Sequence, residues 1–355
     1  MDNTDFDFKE YEAAFENSYN EKHEEFENLI KQKLVISLIG SVNAGKSKTI
    51  NALTGIDYTE VKARAGWTTE VSIYPLNDQV FIADTPGLFD INEKVSNKAS
   101  DFVEKSSDII LYFINATSGI TAHDKKSFES IQKLGKQTIV VLNKIDALDK
   151  SEIVDVINQT KEELGIFPIP ISSKTGEGIE LLEQQILDLL KIHGKDLLFV
   201  KVSKFKENRV KKWINAATVS AATIGAIPIP GSDIIALTSL QVGLALKIAY
   251  IYDIKASKQD VMKIVASTIT GSIGRQISRW SITTLKAAGW IPGAQLLEVA
   301  ISAIAATVAA SMTYAFGWAC SAYYKSGMAM DLGVVGEIFE EKYKSHKNNK
   351  EVVTN

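Results

Sequence analysis

From Lys33 to about His193 short apolar, β-rich runs alternate with longer amphipathic stretches. Val35 to Ile39, Val71 to Tyr74, Val80 to Ala83, Ile109 to Ile114, Thr138 to Leu142 and Phe167 to Ile171 read as strands, and helices fit between most of them. Such alternation predicts an α/β sheet that binds ligands at the C-terminal ends of its strands. Only Pro75-Leu76-Asn77-Asp78 and Gln79 separate the second and third runs. That connection is too short for a crossover helix, so this pair is expected to be antiparallel.

The flanks carry different patterns. In residues 1–32 acids dominate, while Phe8, Tyr11, Phe15, Tyr19, Phe26, Leu29 and Ile30 recur at mostly helical intervals. This predicts an acidic amphipathic helical extension, which either packs on the neighbouring α/β domain or serves a partner. Residues 194–212 are rich in lysine and read as a basic connector. Residues 213–343 then read as a hydrophobic all-helical domain, and 344–355 as a polar, disordered tail. Within the helical domain Ile229-Pro230-Gly231 and Ile291-Pro292-Gly293 each open a long apolar run. They suggest two units of helix, Pro-Gly turn and helix, against the alternative of chance resemblance.

Composition narrows the function classes. A chain of 355 residues exceeds what one core usually organises, so two domains are expected. The formal net charge of -4 gives no global basic footprint, which argues against nucleic acid as a partner. Cys320 is the single cysteine, and His23, His123, His193 and His346 lack metal-ligand spacing. These features fit a reducing cytoplasm. The acidic and aromatic start has no basic segment followed by an apolar core, so no secretory signal is expected.

The strongest chemical signal is Gly40-Ser41-Val42-Asn43-Ala44-Gly45-Lys46-Ser47, which follows one predicted strand and precedes a helix. It has the P-loop spacing. Glycines let the backbone wrap phosphates, Lys46 neutralises their charge, and Ser47 offers a hydroxyl to Mg2+. The candidate cradle comprises Asn43, Ala44, Gly45, Lys46, Ser47 and Lys48. Asp84-Thr85-Pro86-Gly87 follows the third strand, where a carboxylate can reach Mg2+ through water and the Gly87 N–H can meet a γ-phosphate. Asn143-Lys144-Ile145-Asp146 follows the fifth strand, and a carboxylate there can accept the two hydrogen bonds offered by guanine but not by adenine. Ser172-Ser173-Lys174, after the sixth strand, completes a base pocket. Four short motifs in this order, each at a strand end, leave little room for coincidence.

On these residues, over about 33–193, the chain resembles the Era-like branch of the translation-factor-related (TRAFAC) GTPases. The resemblance implies a P-loop G domain, a Ras-like mixed sheet flanked by helices, joined here to the second, all-α domain. It implies GTP hydrolysis with Lys46, Thr69 and Gly87 as catalytic positions. Ser47, Thr69 and Asp84 would hold Mg2+, and Asn143, Lys144, Asp146, Ser172, Ser173 and Lys174 would bind the base. Ala65-Gly66-Trp67-Thr68-Thr69-Glu70 looks like the branch's first-switch Gly-Thr-Thr segment, with Trp67 interrupting it and Thr69 favoured over Thr68. Leu88 stands where Ras-like proteins carry a water-orienting glutamine. The resemblance implies a compensating K+ held by Asn43 beside the phosphates, and slow hydrolysis without it.

The Ile-Pro-Gly-Ser-Asp stretch from Ile229 resembles a hydrophobic domain of unknown function that is fused to Era-like GTPases and also occurs in inner-membrane proteins. Val299 to Tyr324 is uncharged and long enough to span a bilayer, but its Ala, Ser and Thr serve equally in a soluble bundle. The basic connector ending at Trp213 suits an anionic cytoplasmic leaflet. The expected partners are GTP and GDP, a membrane lipid or membrane protein, and a second copy of the chain through the switches or the helical domain. A nucleotide-switched regulator at the cytoplasmic face of a membrane is the leading reading. A soluble assembly factor for RNA or a ribonucleoprotein is the alternative.

Overall fold

The computed structural model describes residues 8–57, 71–85, 93–226, 232–270 and 295–351. The chain divides into two units, Asn28–Lys206 and a discontinuous unit of Met1–Glu27 with Glu207–Asn355. Helix α1 (Phe8–Ile30) precedes a six-stranded sheet. The strands are β1 (Leu34–Gly40), β2 (Ser72–Pro75), β3 (Val80–Asp84), β4 (Ile109–Asn115), β5 (Gln137–Asn143) and β6 (Ile169–Ile171), ordered β2-β3-β1-β4-β5-β6. β2 runs antiparallel to β3, and every other pairing is parallel. β1 and β4 are buried at every position but the last, as strands covered on both faces must be. The tight β2–β3 turn is held by Asn77, whose Oδ1 accepts from the N–H groups of Gln79 and Val80.

Helices α2 (Lys46–Thr54), α3 (Glu93–Ser106), α4 (Ala122–Gln132), α5 (Lys150–Leu164) and α6 (Ile179–Ile192) complete the α/β layer. Capping boxes start α4, with Thr121 and Asp124, and α5, with Asp149 and Glu152. The sixth strand is shorter than its apolar run. Pro168 has no N–H to donate, so pairing begins only at Ile169. Phe167 is 58% exposed, under the Lys161 ammonium 4.0 Å from its ring centroid.

The lysine-rich stretch 194–212, expected as a basic connector, is largely helical. Asp196–Val202 forms α7, which buries Leu197, Leu198, Phe199, Val200 and Val202. Ser203 Oγ then donates to the buried Glu183, and the Lys204 N–H donates to Leu53 O at 3.0 Å. Lys195 Nζ reaches Asp108 Oδ1 at 2.5 Å.

The second unit is all helical. It contains α8 (Lys206–Gly225), α9 (Ser232–Ile251), α10 (Lys258–Thr270), α11 (Gln295–Lys325) and α12 (Leu332–Glu351). The acidic helix belongs here through Glu27, and only its last turn, from Asn28, lies in the α/β unit. Phe15 of α1 is fully buried, Tyr19 Oη donates to Ala256 O at 2.9 Å, and Lys258 Nζ meets Glu16 at 2.6 Å. Phe26 lies with its ring centroid 6.2 Å from that of Tyr250. The polar tail is also helical through Glu351, because His346 stacks on Tyr314 at 4.6 Å and its Nδ1 lies 3.0 Å from Ser311 Oγ. Both Pro-Gly turns lie outside the described residues. Among those described, Ala303–Lys325 is long and apolar enough to cross a membrane, yet half of its most apolar window is buried within the protein.

Candidate functional site

The C-terminal ends of the central strands are brought level by the sheet register. Leu38 of β1 lies opposite Asp84 of β3, Gly40 opposite Phe113 of β4, and Asn143 of β5 opposite both Asn115 and Ile171. Every motif reading that falls on described residues leaves the sheet at this edge, which is where open α/β sheets bind ligands.

The β1–α2 loop depends on backbone that only small residues allow. Gly40 has φ +143°, and a Cβ there would sit 2.4 Å from Phe113 O. Gly45 has φ +88°, and its Cβ would sit 2.1 Å from Asn143 Nδ2. Asn43 adopts φ 64° and faces solvent, as do Lys48 and the 84% exposed Val42, while Ala44 is buried. No side chain caps the start of α2, so its first N–H groups stay directed at the loop, as an anion site needs. Lys46 Nζ donates back across the loop to Gly40 O at 2.9 Å and Ser41 O at 3.3 Å. Gly45→Ala should therefore destabilise the fold by about 2–4 kcal/mol, from left-handed strain plus overpacking against Asn143. A denaturant melt with an unchanged midpoint would remove that assignment.

Asp84 ends β3 with Oδ1 buried and without a hydrogen-bond partner. Desolvation raises its pKa, and the nearby Lys46 charge offsets this in part. A carboxylate left so exposed to its own burial cost suits a cation, so Mg2+ fits these residues. Among the described residues no group of three or more His, Cys, Asp or Glu could hold a metal alone. Thr85 anchors the following segment, its Oγ1 donating to Leu38 O at 3.0 Å. Thr69 and Gly87 lie outside the described residues, as do Trp67, Thr68 and Leu88.

Asn143 ties three loops together. Its buried Nδ2 donates to Ala44 O at 2.8 Å in the phosphate loop and to Ser173 Oγ at 3.2 Å, while its Oδ1 accepts from Lys144 N and Ser173 N. Lys144 adopts φ 72°, turning the chain so that Asp146 meets the β6–α6 loop. Ser172 Oγ donates to Asp146 Oδ1 at 2.7 Å, and Lys174 Nζ stands 3.6 Å from Oδ2. The Ser172 bond is the main cause of a lowered Asp146 pKa, with Lys174 adding to it, so an ionised acceptor is held ready. Sequence reasoning missed two parts. One is the Thr85 anchor. The other is the turn in which Ser172 Oγ accepts from Thr175 N and Ser172 O from Gly176 N; the Thr175-Gly176-Glu177-Gly178 cluster was its available signal.

Comparison with known proteins agrees with this geometry. Residues 35–144 match the family described as "50S ribosome-binding GTPase", and residues 196–348 match "Domain of unknown function (DUF697)". GTPase Der of Persephonella marina is 33% identical over 199 residues, covering 52% of this chain and 43% of that one. GTPase Era of Aquifex aeolicus is 29% identical over 170 residues, covering 44% and 56%. The chain thus spans about half the length of the curated relatives it matches. A crystal structure of Aquifex aeolicus Era bound to GDP.AlF4- superposes with a TM-score of 0.36 at 23% identity, covering 44% of this chain and 57% of that one. The α/β unit therefore contains a P-loop GTPase domain similar to those of Era and Der, joined in one chain to a helical region that matches a family of unassigned function.

Proposed function

We propose that the chain binds GTP and hydrolyses it to GDP and phosphate as a nucleotide-switched regulator. The observation that carries this reading is Asn143, whose amide joins the phosphate loop to the loop that supports Asp146. A triphosphate held by the first and a base read by the second would lie on one continuous scaffold. Asp146, ionised and oriented by Ser172, accepts from guanine N1–H and the exocyclic amine, while Ser173 and Lys174 flank the base. The first N–H groups of α2 and Lys46 receive the phosphates, with Asn43, Ala44, Gly45 and Lys48 completing the loop. Ser47 and Asp84, with Thr69, would hold Mg2+, which when bound offsets charge between the β- and γ-phosphates.

Leu88 has no group to orient water, and Asn43 sits exposed on the rim of the phosphate loop. A K+ ion at Asn43 would supply the missing positive charge where the leaving oxygen gains charge. Phosphate release should be specific for GTP over ATP and faster in K+ than in Na+ at equal ionic strength, with Asn43→Ala erasing the salt difference. Equal GTP and ATP turnover would remove the base reading, and equal rates in both salts would remove the ion.

The regulator acts at the cytoplasmic face of a membrane in this reading. Support comes from the apolar length of α11 and from Lys204, Lys206, Lys211 and Lys212 ahead of Trp213. Flotation of the full chain with anionic vesicles should recover it in the lipid fraction, more completely with a GTP analogue than with GDP. Recovery only in the soluble fraction under both conditions would reject the membrane role.

A further inference from the structure

Asp84 stands where the pairing of β3 with β1 runs out. Leu38 of β1 lies opposite Asp84, and the one backbone bond beyond that pair, from Thr85 N to Leu38 O, is long at 3.4 Å. Good N–H···O bonds are shorter, so this last rung holds weakly. Pro86 has no N–H and cannot add another. The Thr85 hydroxyl takes over. It donates to the same Leu38 O at 3.0 Å, and both residues are buried, so water does not replace the bond. Leu38 lies two residues before Gly40, where the phosphate loop begins. On its other side β1 is fixed by β4, because Gly40 approaches Phe113 so closely that a Cβ would sit 2.4 Å from the Phe113 carbonyl oxygen. One hydroxyl thus ties the residue after Asp84 to the strand that leads into the phosphate loop. Asp84 Oδ1 is buried and has no hydrogen-bond partner, so it takes its aim from the backbone that carries it.

We propose, resting on the reading of Asp84 as a Mg2+ carboxylate, that Thr85 is a positioning residue: its bond to Leu38 O fixes where that carboxylate stands beside the phosphate loop. Groups that orient a metal's carboxylate from behind change metal affinity by about ten- to a hundredfold when lost. Thr85 Oγ1 is committed to Leu38 O and lies apart from Asn143, Asp146 and Ser172, which serve the base. Its effect is therefore confined to the cation.

The test is the affinity of the nucleotide-stripped full chain for a fluorescent, non-hydrolysable GTP analogue, measured once in excess EDTA and once in millimolar Mg2+. The ratio of the two affinities reports the contribution of the cation. Wild type should bind more tightly in Mg2+, and Asp84→Asn should remove most of that gain. Thr85→Val keeps the shape without the donor; it should cut the gain by about tenfold or more and leave affinity in EDTA within about twofold of wild type. Thr85→Ser keeps the hydroxyl and should keep the gain. A Thr85→Val variant with the wild-type gain overturns the proposal. Equal loss of affinity in both buffers also overturns it, because the bond would then serve the fold as a whole. If wild type shows no gain, or Asp84→Asn retains it, the metal role of Asp84 falls and that of Thr85 with it.

Discussion

Lys46→Ala should reduce GTP turnover by at least about a hundredfold, the scale on which a single preorganised charge-stabilising donor acts. The Lys46 ammonium bridges Gly40 O and Ser41 O across the phosphate loop, so it is already held where β- and γ-phosphate charge would gather. Loss of the side chain removes that charge without touching the buried sheet. The melting curve should therefore move little while phosphate release collapses. Wild-type turnover in this variant would show that the loop is not the catalytic one.

Asp146→Asn should change the base rather than the chemistry. In the proposed reading the carboxylate accepts two donors from guanine, and Ser172 Oγ donates to it. A carboxamide keeps the Ser172 contact through its oxygen but turns its nitrogen into a donor facing the guanine amine. GTP affinity should fall about a hundredfold or more, since both lost bonds are charge-assisted. Xanthosine triphosphate presents a carbonyl where guanine has the amine, so it should bind the variant better than GTP does. Competition against a fluorescent guanine nucleotide measures both. Unchanged GTP affinity would remove Asp146 from the base pocket.

Much of the α/β unit was legible because its signals are local. Strand runs bounded by turn residues give β1 to β5 within a residue or two of where they pair, and each short motif sits where a strand ends. Prolines shortened β6, an effect readable in principle from Pro168. The helix α7 was hidden by lysines, since Leu197 to Val200 is too short a run to show periodicity against Lys195 and Lys201. The polar residues after Lys344 stay helical through a contact that no local pattern reports, His346 on Tyr314. The network around Asn143 was invisible for the same reason, since Ala44 and Asn143 lie 99 residues apart.

Because α1 is made before the α/β unit and the rest of the helical unit after Lys206, the α/β unit is an insertion within another domain. On the ribosome α1 emerges long before its partners. Tyr19 must wait for Ala256, 237 residues later, and Glu16 for Lys258, 242 later. Throughout that interval the apolar side chains of Phe15 and Tyr19 have no native surface to cover them, while the intervening unit can complete its own core. Domains generally fold as units from the N-terminal side, but here α1 must wait for partners made after the α/β unit, and long-range closure of this kind is slow. Refolding should show this order directly: nucleotide binding returns before the burial of Tyr19, and holdase chaperones engage the chain chiefly during the gap. The helical unit would then complete its core after the α/β unit has completed its own.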